Sequence, residues 1–114
     1  MSITTHVLDT SLGEPAAGMR VSLEVLVPER GWTQIAWGTT DQEGRIRELS
    51  GGQPLVARRC RLVFDTAAYF TSRGLEAFYP VVVVVFEIAD PTRDYHVPLL
   101  ISPYGFTTYR GSGG

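Results

Sequence analysis

Lysine is absent from this 114-residue chain: all ten basic residues are arginine. That excludes Schiff-base chemistry on lysine and the lysine of a phosphate-binding loop, so any cationic stabilisation falls to arginine. Cysteine is nearly absent as well. The single Cys60 cannot form an intramolecular disulfide, which argues against a stapled secreted scaffold and for a reducing compartment. Positive charge is not in excess, since ten basic and twelve acidic residues leave a net charge of −2. No overall field therefore draws in nucleic acid or anionic lipid, and neither is an expected partner. The opening residues lack a basic segment followed by a long apolar run, and the ending is not Ser-Lys-Leu. Neither a secretory signal nor that peroxisomal address is expected, and the expected location is cytoplasmic.

What is present is the balance of a globular protein: 44% hydrophobic and 19% charged residues, too apolar for disorder and too charged for a membrane protein. A chain of this length buries roughly two thirds of the surface it exposes when unfolded, enough for one core. No repeat or low-complexity linker divides it, so one domain is expected over 1–112, with 113–114 as a flexible glycine tail.

Most of the chain reads as short strands punctuated by Gly, Pro and Asp, the pattern of a sandwich or barrel. Ile3 to Asp9 is one strand. Arg20 to Val27 is another, with Val21, Leu23, Val25 and Val27 on one face. Trp32 to Thr39 follows with neither face purely apolar, and Asp41-Gln42-Glu43-Gly44 is a turn in which Gly44 supplies a conformation other residues adopt at a cost. Arg59 to Phe64 sets arginines on a wet face against Cys60, Leu62 and Phe64 on a core face. Between Thr66 and Phe78 the period becomes helical through Ala67, Phe70, Arg73, Gly74 and Ala77, which predicts one short helix near 67–74 capped by Asp65 or Thr66. Val81 to Ile88 holds five consecutive valines, a density expected of a strand covered on both faces. Tyr95 to Ser102 and Tyr104 to Arg110 complete seven or eight strands.

Only two histidines exist, His6 near the start and His96 near the end. Each alone fits a hydrogen-bonded structural role. Brought together they have a further use, because imidazole titrates near neutral pH and a pair can deprotonate a water and return the proton to a leaving nitrogen. Arg45, next to the Gly44 turn, can hold a carbonyl or anionic oxygen in its planar fork of donors, though alone it reads as a solvated turn residue. No histidine spacing suits a metal, so no metal site is expected. Asp41 and Glu43 are a fragment of a calcium loop without its remaining ligands. Cys60 belongs with the core, and Arg58, Arg59 and Arg61 with a solvated strand face.

Four segments in order give these residues a context. Thr5-His6-Val7-Leu8-Asp9-Thr10 with Gly13-Glu14-Pro15-Ala16-Ala17, then Thr40 to Ile46, then Leu75 to Pro80, and finally His96 to Phe106 continuing into Tyr109-Arg110-Gly111-Ser112, resemble the 5-hydroxyisourate hydrolases of the transthyretin-like family. The resemblance covers nearly the whole chain. It implies an all-β, transthyretin-like sandwich of two four-stranded sheets with one short α-helix, assembled as a homotetramer, a dimer of dimers with active sites at the subunit interface. It implies cofactor-free ring-opening hydrolysis of 5-hydroxyisourate in urate degradation. By position, His6, Arg45, His96 and Ser112 match the catalytic set, and Tyr109 and Arg110 join His6, Arg45 and Ser112 in binding substrate. The family pattern usually ends at the serine, whereas Gly113 and Gly114 follow here. The rival expectation is a non-enzymatic carrier of the same fold.

Overall fold

The computed structural model describes residues 2–51 and 58–112; the expected glycine tail at 113–114 lies outside the described residues. Among the described residues nine strands and one helix follow in order: β1 (Ile3–Asp9), β2 (Glu14–Pro15), β3 (Arg20–Val27), β4 (Gly31–Thr39), β5 (Arg45–Ile46), β6 (Arg58–Phe64), α1 (Thr66–Thr71), β7 (Val82–Ile88), β8 (Tyr95–Ser102) and β9 (Gly105–Thr108). One sheet runs β2-β1-β8-β9, with β5 also paired to β1, and the other runs β4-β3-β6-β7. The expected pair of four-stranded sheets thus gains β5, a two-residue strand on the first. Every ladder is antiparallel except β1 with β8, which is parallel and joins the two ends of the chain.

Alternation decides what fills the space between the sheets. Val21, Leu23 and Val25 of β3 and Cys60, Leu62 and Phe64 of β6 face Ile3 and Val7 of β1 and Leu99 and Ile101 of β8, all of them buried. Cys60 lies in this core, where burial pushes its thiol up to about 11, so it stays protonated and unreactive near neutral pH.

The helix is shorter than its periodicity suggests. The Asp65 carboxylate caps it by accepting from the Ala68 amide at 3.1 Å. It closes at Ser72 because Gly74 takes a left-handed φ of 74° and turns the chain outward, while the Leu75 amide donates to the Phe70 carbonyl. From α1 the Tyr69 hydroxyl donates to the buried Asp9 carboxylate at 2.8 Å, and the Ser11 amide donates to the other oxygen at 3.0 Å. Burial first, and then Asp9, push the Tyr69 hydroxyl up to about 12. The end of β1 is therefore tied to the helix through satisfied polar groups.

Within the single chain the valine run is open on one face: β7 is an edge strand in which Val82 and Ile88 are buried, whereas Val83 is 41% and Val85 52% exposed. Branching at Cβ favours extended backbone at every position, so the composition reports a strand without reporting what lies over it.

Candidate active site

The parallel β1–β8 ladder brings the two histidines to one face. Thr4 pairs with His96 and His6 with Pro98. Paired residues project to the same side of a sheet and side chains alternate along a strand, so Thr4, His6 and His96 share a face. Ile3, Thr5 and Val7, between them, point to the core. β5 brings the third residue, because Arg45 pairs directly with His6.

The turn before Arg45 is fixed by polar groups and by a close approach. The Asp41 carboxylate accepts from the Glu43 and Arg45 amides, each at 2.9 Å, and the Arg45 amide holds its carboxyl below the ordinary carboxylate value. Gly44 has φ 75°, and a Cβ there would overlap the Val7 carbonyl oxygen. The Gly44 carbonyl in turn accepts from the Val7 amide at 2.7 Å. Glycine is needed here on both counts, and the result is an arginine delivered beside His6.

Each imidazole is tethered through a different nitrogen. His6 Nε2 lies 2.8 Å from the Glu43 carbonyl. A carbonyl oxygen only accepts, so Nε2 carries a proton and the neutral ring offers its lone pair at Nδ1. His96 is held instead at Nδ1, 2.6 Å from the Thr4 hydroxyl. Past Tyr109 and Arg110 the chain returns to His96, where the Gly111 amide donates to the His96 carbonyl at 2.9 Å and the two residues form a bridge. The imidazole lies so close to Gly111 that a Cβ there would overlap its Cδ2. Gly111 is thereby pinned to the sheet.

Burial, then the positive charge of Arg45, then His6 hold the His96 ring below the ordinary histidine value, with a hydrogen bond to the Thr4 backbone opposing them. His96 is accordingly neutral near neutral pH. Arg45, His6 and His96 act on one another electrostatically, as the sheet register requires.

The C-terminal residues divide. The Arg110 guanidinium lies 5.4 Å from the Tyr95 ring centre. Tyr109 and Arg110 line a groove of about 300 Å³ with Val84, Phe86 and Val97, and His96 lines it too, whereas Arg45 does not. Ser112 is exposed, one residue beyond the glycine that packs on His96. Thr4 and the Glu43 carbonyl escaped sequence reasoning; the one signal for Thr4 is a hydroxyl two residues before His6, on the same face of its strand. Among the described residues no three His, Cys, Asp or Glu side chains cluster to hold a metal ion, and no helix is long and apolar enough to cross a membrane.

Comparison with known proteins places this geometry. A model of the HIUase/Transthyretin family matches residues 3–111. The chain belongs to that family. A family relative, the 5-hydroxyisourate hydrolase of Salmonella dublin, is 44% identical over 96% of this chain and 80% of its own length. Among solved structures, the 5-hydroxyisourate hydrolase of Klebsiella pneumoniae superposes with a TM-score of 0.84 at 38% identity, covering 98% of this chain and 100% of that one. Sea bream transthyretin in complex with thyroxine superposes with a TM-score of 0.90 at 36% identity, covering 100% and 99%. The HIUase/Transthyretin fold therefore serves both an enzyme and a protein that binds thyroxine. Within this family the side chains on the sheet face, not the fold, carry the functional argument.

Proposed function

We propose that the chain hydrolyses 5-hydroxyisourate to 2-oxo-4-hydroxy-4-carboxy-5-ureidoimidazoline. The observation that carries the reading is Arg45 paired with His6 on the face that also bears a neutral His96. In this reading His96 takes a proton from water as its oxygen adds to the six-membered-ring carbonyl. The planar Arg45 guanidinium steadies the oxyanion, the carbon–nitrogen bond breaks, and the histidine pair returns a proton to the departing nitrogen. Ser112 orients water or substrate through its hydroxyl, and Tyr109 and Arg110 bind substrate from the groove side. The relatives named as this enzyme support the reaction and its place in urate degradation.

The assembly proposed with it is a homotetramer, a dimer of dimers with sites at the subunit interface, built on one domain spanning 1–112. Exposed apolar side chains support it: Val83, Val85, Phe78 and Tyr104 are left open by the single chain. A cytoplasmic location is supported by the buried, unpaired Cys60.

The likeness to thyroxine-bound transthyretin favours a second reading, a small-molecule carrier. Two titratable rings and an arginine on one face suit chemistry better than holding a ligand. The test generates 5-hydroxyisourate in situ from urate with urate oxidase and follows its ultraviolet decay. Faster decay with the protein, retained after chelation of metals, is the expected result; the spontaneous rate from folded protein would leave the carrier.

A further inference from the structure

Resting on the hydrolase reading above, we propose that Thr4 is a positioning residue for the reaction: its hydroxyl holds Nδ1 of His96 so that the ring presents Nε2 to the water and substrate.

The register places Thr4 directly across from His96, and the hydroxyl lies 2.6 Å from Nδ1. Among the described residues that ring nitrogen is its one hydrogen-bond partner. Its neighbour Thr5 makes the contrast, since the Thr5 hydroxyl points to the core and donates to the Val97 carbonyl at 2.6 Å, an interaction of backbone with backbone-seeking side chain and no more. Thr4 is 8% exposed, so its hydroxyl has little water to turn to and the bond to the ring is its means of satisfaction. Gly111 closes the opposite edge of the imidazole at Cδ2. With Nδ1 held on one side and Cδ2 blocked on the other, the edge left for chemistry carries Nε2.

The proton count agrees with this arrangement. A ring that accepts a proton at Nε2 has that nitrogen bare beforehand, so Nδ1 carries the hydrogen and donates to the Thr4 oxygen. When Nε2 takes the proton from water the ring becomes imidazolium, and the same Nδ1–H still donates to the same oxygen. The tether survives the step. Replacing the hydroxyl by a methyl takes the 2.6 Å partner from Nδ1–H in a part-buried site and leaves only the Thr4 backbone near the ring, which favours moving the hydrogen to Nε2 and so weakens the base. An acceptor at Nδ1 also favours the charged ring, so its loss lowers the pKa of His96 further. The charged and titratable groups around the ring are Arg45 and His6 on the sheet and Glu87, Tyr95, Tyr109 and Arg110 along the groove, and the substitution changes none of them.

The experiment compares Thr4→Val and Thr4→Ser with the wild type in the in situ decay assay across pH, with the His96 tautomer read by ¹⁵N NMR of the same full chain. For Thr4→Val, kcat should fall about 10- to 100-fold, by analogy with the loss of a partner that orients a metal-bound histidine. KM should change less than about twofold. The acid limb of the pH profile should move to lower pH, and the neutral ring should shift from Nδ1–H to Nε2–H. Thr4→Ser should restore kcat and the wild-type tautomer. Wild-type kcat and pH limb in Thr4→Val, or an Nε2–H ring in the wild type, would overturn the proposal. If Thr4→Val does not fold, Thr4→Ala takes its place, and equal rates for the alanine and serine variants would overturn it. Failure of the hydrolase reading looks different, because the wild type itself would then leave the spontaneous decay unchanged.

Discussion

The outer faces of the two sheets treat charge in opposite ways. On the β4-β3-β6-β7 sheet, charges are matched: Arg61 Nε lies 2.7 Å from the Glu24 carboxylate, Arg59 reaches Glu87, and the guanidinium groups of Arg61 and Arg20 lie over the rings of Trp32 and Trp37 at 4.5 and 4.1 Å. On the β1–β8 sheet, His6, His96 and Arg45 gather on one face, and among the described residues no ion pair engages the Arg45 guanidinium. Their tethers are neutral, a carbonyl and a hydroxyl. Matched charges stabilise a surface weakly and are finished; an arginine beside two imidazoles with neutral tethers has interactions left for a substrate.

Substitution should show that difference in order of size. His96→Asn removes the proposed base and should lower kcat by roughly 10² to 10⁴. Thermal unfolding should shift only slightly, because the ring lies outside the core. Gly111→Ala touches no reacting atom, yet its Cβ would overlap the imidazole, and displacing a catalytic group by ~1 Å costs on the order of 100-fold in rate. Kinetics on folded protein checks it; full activity would show that the ring tolerates movement and weaken the case for a positioned histidine. Gly44→Ala meets both a left-handed backbone and the Val7 carbonyl, and should destabilise by about 1 to 3 kcal/mol in denaturant unfolding while lowering activity through Arg45.

Acid sharpens the comparison without any substitution. The folded pKa of His96 lies below its unfolded value, so unfolded chain binds the proton more readily. The stability that His96 contributes is complete above the unfolded value and is lost as pH falls through the folded one. Activity should fall over the same interval as the base becomes charged, and in His96→Asn the stability curve should flatten there. Glu24→Gln, on the matched face, belongs at the bottom of the order. A half-buried pair with Arg61 contributes about 1 kcal/mol or less. Unfolding should record that small loss, with kcat and KM unchanged; an activity loss comparable with that of His96→Asn would break the division between the two faces.

Strands were readable where alternation ran long enough. Ile3–Asp9 and Arg20–Val27 have the bounds their patterns suggest, because a buried face repeats every second residue over seven or eight positions. β2 and β5 have two residues each, too few for any period, and exist only through pairing with β1. The helical spacing outruns α1, since Arg73 and Gly74 continue it after Ser72 has capped the helix. The valines of β7 declared their backbone and not their cover. At the site, residue types were readable and their meeting was not. Whether His6 and His96 share a face depends on a parallel register between segments about ninety residues apart, and shifting that register by one residue would send one ring into the core. Thr4 was hidden for the same reason.

The most direct test of the account is the decay of 5-hydroxyisourate, generated in situ, with wild-type protein and His96→Asn at equal concentrations of folded protein. The wild type should accelerate the decay strongly, and the variant should leave it near the spontaneous rate. Equal acceleration by both would contradict it, because the reaction would then proceed without the ring that the β1–β8 register, Thr4 and Gly111 together hold in place.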